Sequence, residues 1–172
     1  MTLQNLSLSI VLLSIAAGCT VETQAEPAAA EPMQASAGGS VVVEGPESAS
    51  VGQPISCGAN DDVNLTNVTL NAGQGSAIVA DGNCTLTIDG CNLSGGNVVR
   101  VSDNATVNLT GCSISGMVAI DASGQADVNL TGGSISGTQA AVVATDNAGV
   151  SLSGTAESGA MQAGENADIS RE

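Results

Sequence analysis

The 172-residue chain contains no Phe, Trp, Tyr or His. Without imidazole it has no His base, no His metal ligand and no Ser-His-Asp triad. Without aromatic rings it has no platform on which a base or a sugar could stack. Basic residues are scarce as well, because two stand against 17 acidic residues, and the net charge of -15 repels nucleic acids and anionic surfaces. We therefore expect a protein that is not an enzyme, uses no cofactor and binds no nucleic acid.

The first residues carry an export signal. The apolar run from Leu6 to Ala17 is too short to span a membrane and is followed by Gly18 and Cys19. Small residues directly before a Cys resemble the signal peptide of bacterial lipoproteins, here residues 1–18. The resemblance implies cleavage before Cys19, lipidation of that Cys and a membrane partner through the lipid. An ordinary secretory signal, with Cys19 incidental, is the alternative, and both readings export the protein.

The same resemblance bears on the destination. In enterobacterial lipoproteins an Asp after the lipidated Cys favours the inner membrane, whereas this chain has Thr20. The resemblance thus implies an outer-membrane anchor, on the periplasmic or the cell-surface face.

Residues 19–39 are rich in Ala, Glu and Pro and lack any apolar period, which is typical of a tether. Twenty extended residues reach at most ~60 to 70 Å, and a flexible coil typically spans ~25 Å. We expect this segment to hold a folded domain, residues 40–172, away from the membrane.

The domain contains an internal repeat. Its units start at Val63, Leu86, Val107, Val128 and Val150, which lie 23, 21, 21 and 22 residues apart. A second apolar column follows at Leu70, Leu93, Ile114 and Ile135, and a third runs through Ile55, Ile78, Val99, Ile120, Val142 and Met161. An amide side chain precedes each start by three residues, at Asn60, Asn83, Asn104, Gln125 and Asn147, and Asn166 precedes Ile169 in the same way. Short alternating strands with Gly or Asn turns and no hairpin pattern predict coils that stack at ~4.8 Å around an apolar core.

With these columns, residues 40–172 resemble a right-handed parallel β-helix of the pectin-lyase-like kind, with about five to six short coils of 21–23 residues. A left-handed helix of hexapeptide repeats is the rival, but it would need coils of about 18 residues. The resemblance implies an all-β solenoid and leaves activity open.

Stacking makes further predictions. The Asn column should form a ladder of side-chain amide bonds in a turn with positive φ. Arg100 and Asp121 should lie side by side as an exposed salt bridge. Glu157 replaces the Leu or Ile of its column, and Pro46 and Pro54 interrupt the first coil, so both ends should resist end-to-end association. We expect a monomer.

Four cysteines remain besides Cys19. Cys91 and Cys112 occupy one column of adjacent coils, so their Cα atoms should be ~5 Å apart, within disulfide range. Cys57 and Cys84 flank the same turn on adjacent coils and form the second predicted pair. A metal site built from all four thiolates is the alternative, although no spacing is Cys-x-x-Cys. We predict two disulfides and no metal.

Acidic residues gather along one turn, at Asp81, Asp103, Asp146 and Glu165. Calcium would need six to eight oxygens that converge on one point, and these residues shift between columns. We interpret them as solvated turn residues, with calcium binding as the alternative.

The outward positions of the first strand form an array of short polar side chains. Its candidate binding residues are Thr66, Thr85, Thr87, Thr106, Asn108, Thr110, Asn129 and Thr131. The array resembles the Thr-x-Thr faces of ice-binding β-solenoids. We expect a noncatalytic, lipid-anchored cell-envelope or surface protein with a structural or display role. The alternatives are a module that binds a polysaccharide or ice through this face, and a degenerate polysaccharide lyase.

Overall fold

The structure is a computed structural model that describes residues 54–172 and the backbone of two earlier strands, Ser40–Val43 and Ser48–Ala49. The predicted lipidation site Cys19, the signal peptide and the tether lie outside the described residues. The thirteen strands in this part are β1 Ser40–Val43, β2 Ser48–Ala49, β3 Ile55–Cys57, β4 Asp62–Asn71, β5 Ile78–Ala80, β6 Thr85–Val101, β7 Thr106–Ala122, β8 Asp127–Thr131, β9 Ser134–Ala144, β10 Gly149–Ser153, β11 Ala156–Ser158, β12 Met161–Ala163 and β13 Asp168–Arg171. All pairs are parallel, and the strands stack into a β-solenoid of about six turns without a helix in the described part. The predicted all-β solenoid is confirmed.

The register of the coils follows the repeat. The first column runs in register through Val41, Val63, Leu86, Val107, Val128, Val150 and Ile169. Side chains alternate along each strand, so that Leu86 and Val107 are fully buried whereas Thr87 and Asn108 between the inward positions are half-buried. This period of two arises from the pleat of a β-strand.

The two other predicted columns form the remaining walls of the core. One pairs Leu70, Leu93, Ile114 and Ile135, and the other pairs Ile55, Ile78, Val99, Ile120 and Val142. Every one of these side chains is buried. The core is thus a stack of aliphatic rungs, as expected for a chain without aromatic residues.

The strands are longer than the repeat predicts. β6 and β7 each run for 17 residues through a corner, where we expected separate short strands. The corner residues Gly90 and Gly111 have φ of 74° and 63°, a conformation that glycine adopts without strain. The two strands bend together at this corner, so their ladder skips Gly90 and resumes at Cys91; further along it also skips Gly96 and Val98.

One bulge accounts for a change in coil length. Gly116 pairs with Gly137 and Val118 pairs with Ala140, so a single residue, Met117, faces two residues of the next coil. The extra residue explains why the interval between repeat starts grows from 21 to 22 after Val128. Met117 is 38% exposed at this bulge.

Both predicted disulfides are present. Cys91 pairs with Cys112 across adjacent strands, with Cα atoms 4.3 Å apart. Cys57 pairs with Cys84, with Cα atoms 5.9 Å apart. All four residues belong to the core, so each bridge links one coil to the next from inside.

The predicted amide ladder forms over three coils. Asn83 donates to Asn60 at 3.3 Å, and Asn104 donates to Asn83 at 3.2 Å. The prediction that the Asn column itself has positive φ is confirmed at Asn166, with φ of 63°, and is wrong in the earlier coils. There the left-handed residue is the one before the column, with φ of 59° at Asp103 and 60° at Asp146.

The predicted salt bridge of Arg100 is wrong although its register is right. Arg100 lies beside Asp121 on adjacent strands. In the described coils these two side chains form no ion pair, because the Asp121 carboxylate instead accepts a hydrogen bond from Asn97 Nδ2 at 3.2 Å. Arg100 is exposed and points to solvent.

Candidate binding face

The first strand of each coil gives the solenoid one regular polar face. All eight predicted face residues lie on it, at outward positions of β4, β6, β7 and β8. Thr110 and Thr131 are exposed and the other six are half-buried. Since outward side chains of stacked strands cover one another, half-burial is what in-register stacking produces. The structure therefore brings the predicted residues together.

The face consists of three columns in register. The first contains Asp62, Thr85, Thr106, Asp127, Gly149 and Asp168, the second Asn64, Thr87, Asn108, Asn129, Ser151 and Ser170, and the third Thr66, Asp89, Thr110, Thr131 and Ser153. Sequence reasoning singled out neither Asn64 nor the serines as binding residues, although their spacing already placed Asn64 and Ser151 in the middle column.

The middle column has its own amide bond. Asn129 Nδ2 donates to Asn108 Oδ1 at 3.1 Å between adjacent coils. Near the first coil the pattern changes, because Asn64 Nδ2 donates along its own strand to Asp62 Oδ1 at 3.2 Å. These bonds fix the direction of three amide groups, so the face presents oriented donors and acceptors together with threonine methyl groups.

Charge is confined to the side columns of the face. Asp62, Asp127 and Asp168 lie in the first column and Asp89 in the third, and all four are exposed. The middle column is neutral throughout. A ligand that lies along this column would meet hydroxyl, amide and methyl groups with carboxylates at its margins, which disfavours an anion.

A second polar feature lies at the turn that carries the Asn column. Its open concavity has a volume of about 430 Å³ and is lined by amide side chains and by Asp103 and Asp146. The Asp146 carboxylate accepts the Gly124 N–H at 3.2 Å. Within residues 54–172, no three Asp, Glu, Cys or His side chains are grouped to hold a metal ion.

Asp61 also has a structural contact. It is the buried acidic residue at the first turn, and its carboxylate accepts the Gly58 N–H at 3.4 Å. This bond closes the loop between Cys57 and the start of β4.

The neighbouring wall carries a hydroxyl pair that sequence reasoning missed. Ser134 Oγ donates to Ser113 Oγ at 3.3 Å, and the two residues lie in register on adjacent coils. The signal was present in the sequence, since both serines directly precede the inward Ile of the second column. This pair faces away from the core on a different wall from the Thr/Asn face.

The architecture places the chain in the class of parallel β-solenoids. No family model, curated protein or solved structure matches the chain. The two disulfides between coils indicate an oxidising environment outside the cytoplasm. Among the described residues, none forms a helix that is long and apolar enough to cross a membrane.

Proposed function

We propose that the protein is a noncatalytic cell-envelope protein that is lipidated at Cys19, anchored in the outer membrane and raised on its tether, with a structural or display role for the solenoid. The observation that carries this proposal is the Thr/Asn face, a neutral column in register over successive coils between two columns of short polar side chains. Such a face offers many equivalent, shallow contacts. Display and adhesion need an extended surface of this kind, whereas catalysis needs a few converging groups in a cleft.

The disulfides between coils also support a role outside the cytoplasm. A disulfide mainly restricts the unfolded chain, so the bridged coils resist unfolding where no chaperone refolds them. The net charge of -15 adds repulsion from other acidic molecules and helps to keep such a domain soluble and separate from the anionic membrane surface.

The anchor is tested by phase partitioning of the exported protein. Cys19→Ser should move the protein from the detergent phase to the aqueous phase, because several acyl chains contribute ~0.8 kcal/mol for each buried methylene. Thr20→Ser is the matched control, since it changes the neighbouring residue and leaves the thiol. Wild-type protein recovered in the aqueous phase would refute the anchor.

A second candidate function is binding of a neutral polysaccharide or of ice through the Thr/Asn face. The observation that favours it is the Asn129–Asn108 amide bond, which orients hydrogen-bonding groups before any ligand arrives. Preorganised groups lose less entropy on binding. Threonine methyl groups beside these amides add apolar contact without aromatic rings.

The two functions are separated by a glycan and ice-affinity screen of residues 40–172. If the face binds a ligand, Asn108→Lys should abolish saturable binding, because a long charged side chain interrupts the neutral column. Ser115→Lys is the matched control, since Ser115 is an exposed position on another wall of the same coil. No saturable ligand in the screen leaves display as the function, and equal loss in both variants would exclude the face as the site.

A further inference from the structure

The last coil differs from every earlier coil at two inward positions. Arg171 is in register with Leu152, and Glu157 is in register with Ile135. The earlier residues of these two columns are Leu65, Ile88, Leu109, Leu130 and Leu152, and Leu70, Leu93, Ile114 and Ile135. All of them are buried aliphatic side chains. The last coil therefore places a cation and an anion where the repeat has only hydrocarbon.

These two charges meet across the end of the core. Arg171 Nε lies 3.2 Å from Glu157 Oε2, and the guanidinium group also contacts the sulfur of Met161. The three residues come from β13, β11 and β12, so each wall of the coil contributes one of them. Beneath them Ile135, Val142 and Leu152 stay at most 1% exposed. The ion pair and Met161 together form an end cap over the last aliphatic rung.

The strand edges beyond this cap are open. In the described part of the chain, β11 and β12 pair only with β9, and β13 pairs only with β10. At the opposite end, and again among the described strands alone, β1 pairs only with β4, in the register that the other coils share. An open parallel edge is a template for another strand. Pro46 and Pro54 lie outside Ser40–Val43, so this strand keeps its backbone N–H donors although the coil that follows it was expected to resist association. Because coils repeat, the first coil of a second copy would continue the ladder with Ser40–Val43 against Asp168–Arg171.

We propose that the last coil is a stacking surface for a second copy of this chain, and that the Glu157–Arg171 pair keeps this surface closed. Stacking would remove both charges from water, and their mutual attraction does not fully offset that desolvation. The incoming coil would also meet no aliphatic rung at these two positions. The end cap thus prevents a second copy from pairing with the open strand edge, although the backbone of the last coil keeps the regular register.

The test places leucine at the two charged positions, so that both aliphatic columns continue into the last coil. The full chain is used, purified in a mild detergent. Glu157→Leu with Arg171→Leu removes one charge of each sign, so the net charge stays the same. The control is Ser158→Leu with Ser170→Leu, which adds the same apolar surface at exposed outward positions of the same coil. We expect the first variant to at least double its weight-average mass as concentration rises, and the control and wild type to remain monomeric. Association of wild type, or equal association of the control, would overturn the proposal.

A cross-link identifies the contact as head to tail. Val42 and Ser170 belong to one register column, separated within a chain by six coil steps, roughly 29 Å at ~4.8 Å per step, which is too far for a disulfide. In a stacked pair they would be adjacent. Val42→Cys with Ser170→Cys should therefore give interchain disulfides on a nonreducing gel in the leucine background and not in the wild-type background. Association without this cross-link would overturn head-to-tail stacking.

A second variant keeps the proposal testable if the double leucine variant folds poorly. Glu157→Gln with Arg171→Met removes both charges and retains similar side-chain lengths. Combined with Val42→Cys and Ser170→Cys, it should show the same interchain cross-link. We expect a smaller rise in weight-average mass than for the leucine variant, because it lacks branched side chains that fill the rung. A natively folded variant of this kind that stays monomeric and free of the cross-link would overturn the proposal.

Discussion

The bridged coils and the last coil share one backbone register but differ in how their side chains are held. In β6 and β7 the inward residues Leu86 and Leu109 are at most 1% exposed, and two disulfides join this part of the stack. In β11 every residue is exposed, and in β13 only Ile169 is half-buried. The difference teaches that backbone pairing carries the coil shape to the end of the solenoid. The stability of a coil, in contrast, depends on having a neighbouring coil on both sides.

The comparison predicts that the largest loss of stability comes from a substitution that leaves a cavity in the core of the bridged coils. Leu109→Ala should lower the free energy of unfolding by ~2 to 5 kcal/mol, because the rungs above and below cannot close the space. Ile169→Ala should cost less than half as much, since solvent already reaches this side chain. Urea unfolding of both variants measures the contrast, and similar losses would mean that the last coil is packed as tightly as the others.

Removal of a disulfide should have the next largest effect. Cys91→Ser with Cys112→Ser should cost ~3 kcal/mol, since this bridge closes a loop spanning a sequence separation of 21. Hydrogen exchange should accelerate in β6 and β7 and stay unchanged in β12 and β13, where we expect local opening to set the exchange rate already. Faster exchange at the last coil as well would show that the solenoid unfolds as one unit.

The amide ladder should contribute less. Asn83 both donates to Asn60 and accepts from Asn104, so Asn83→Ala should lower stability by ~1 kcal/mol, because exposed hydrogen bonds lie at the lower end of their usual range. Gln125→Ala is the control, as it lies in the same column outside these two bonds. The melting temperatures of the two variants provide the measurement, and an equal shift would assign the loss to the turn backbone and not to the ladder.

Arg100 should have the smallest effect. Arg100→Ala should change the free energy of unfolding by less than ~0.5 kcal/mol, because the side chain is exposed and does not pair with Asp121. The change should be the same at low and high salt, since a surface ion pair would weaken as salt rises. A loss that disappears in high salt would show that the pair forms in solution.

The fold was predictable because stacking ties distant residues to one another. Once Val63, Leu86 and Val107 share a column, every residue of their coils has a fixed partner, and the pairing of Cys91 with Cys112 follows without further information. The face was predictable for the same reason, since alternation along a strand decides which residues point outward.

Side-chain partners were less predictable than register. Arg100 and Asp121 lie side by side as expected, yet Asn97 from a neighbouring position takes the carboxylate. Arg171 was missed because the last interval, from Val150 to Ile169, is 19 residues and departs from the repeat. Its inward position becomes evident only when Ile169 is placed against Val150. Local competition among side chains leaves no trace in a periodic pattern, and a shortened last coil hides which of its residues continue the columns.

The bulge between Met117 and the next coil shows that one coil tolerates an added residue without shifting the columns around it. The solenoid can therefore be shortened or lengthened by whole coils. Deleting residues 128–149 would join Asp127 to Val150 and set Val150 against Val107, with both disulfides retained and the solenoid shortened by one spacing of ~4.8 Å. Duplication would lengthen it by the same step. Such changes would alter how many copies of the polar motif the molecule offers, and thus its avidity for a repetitive partner, without altering any single contact.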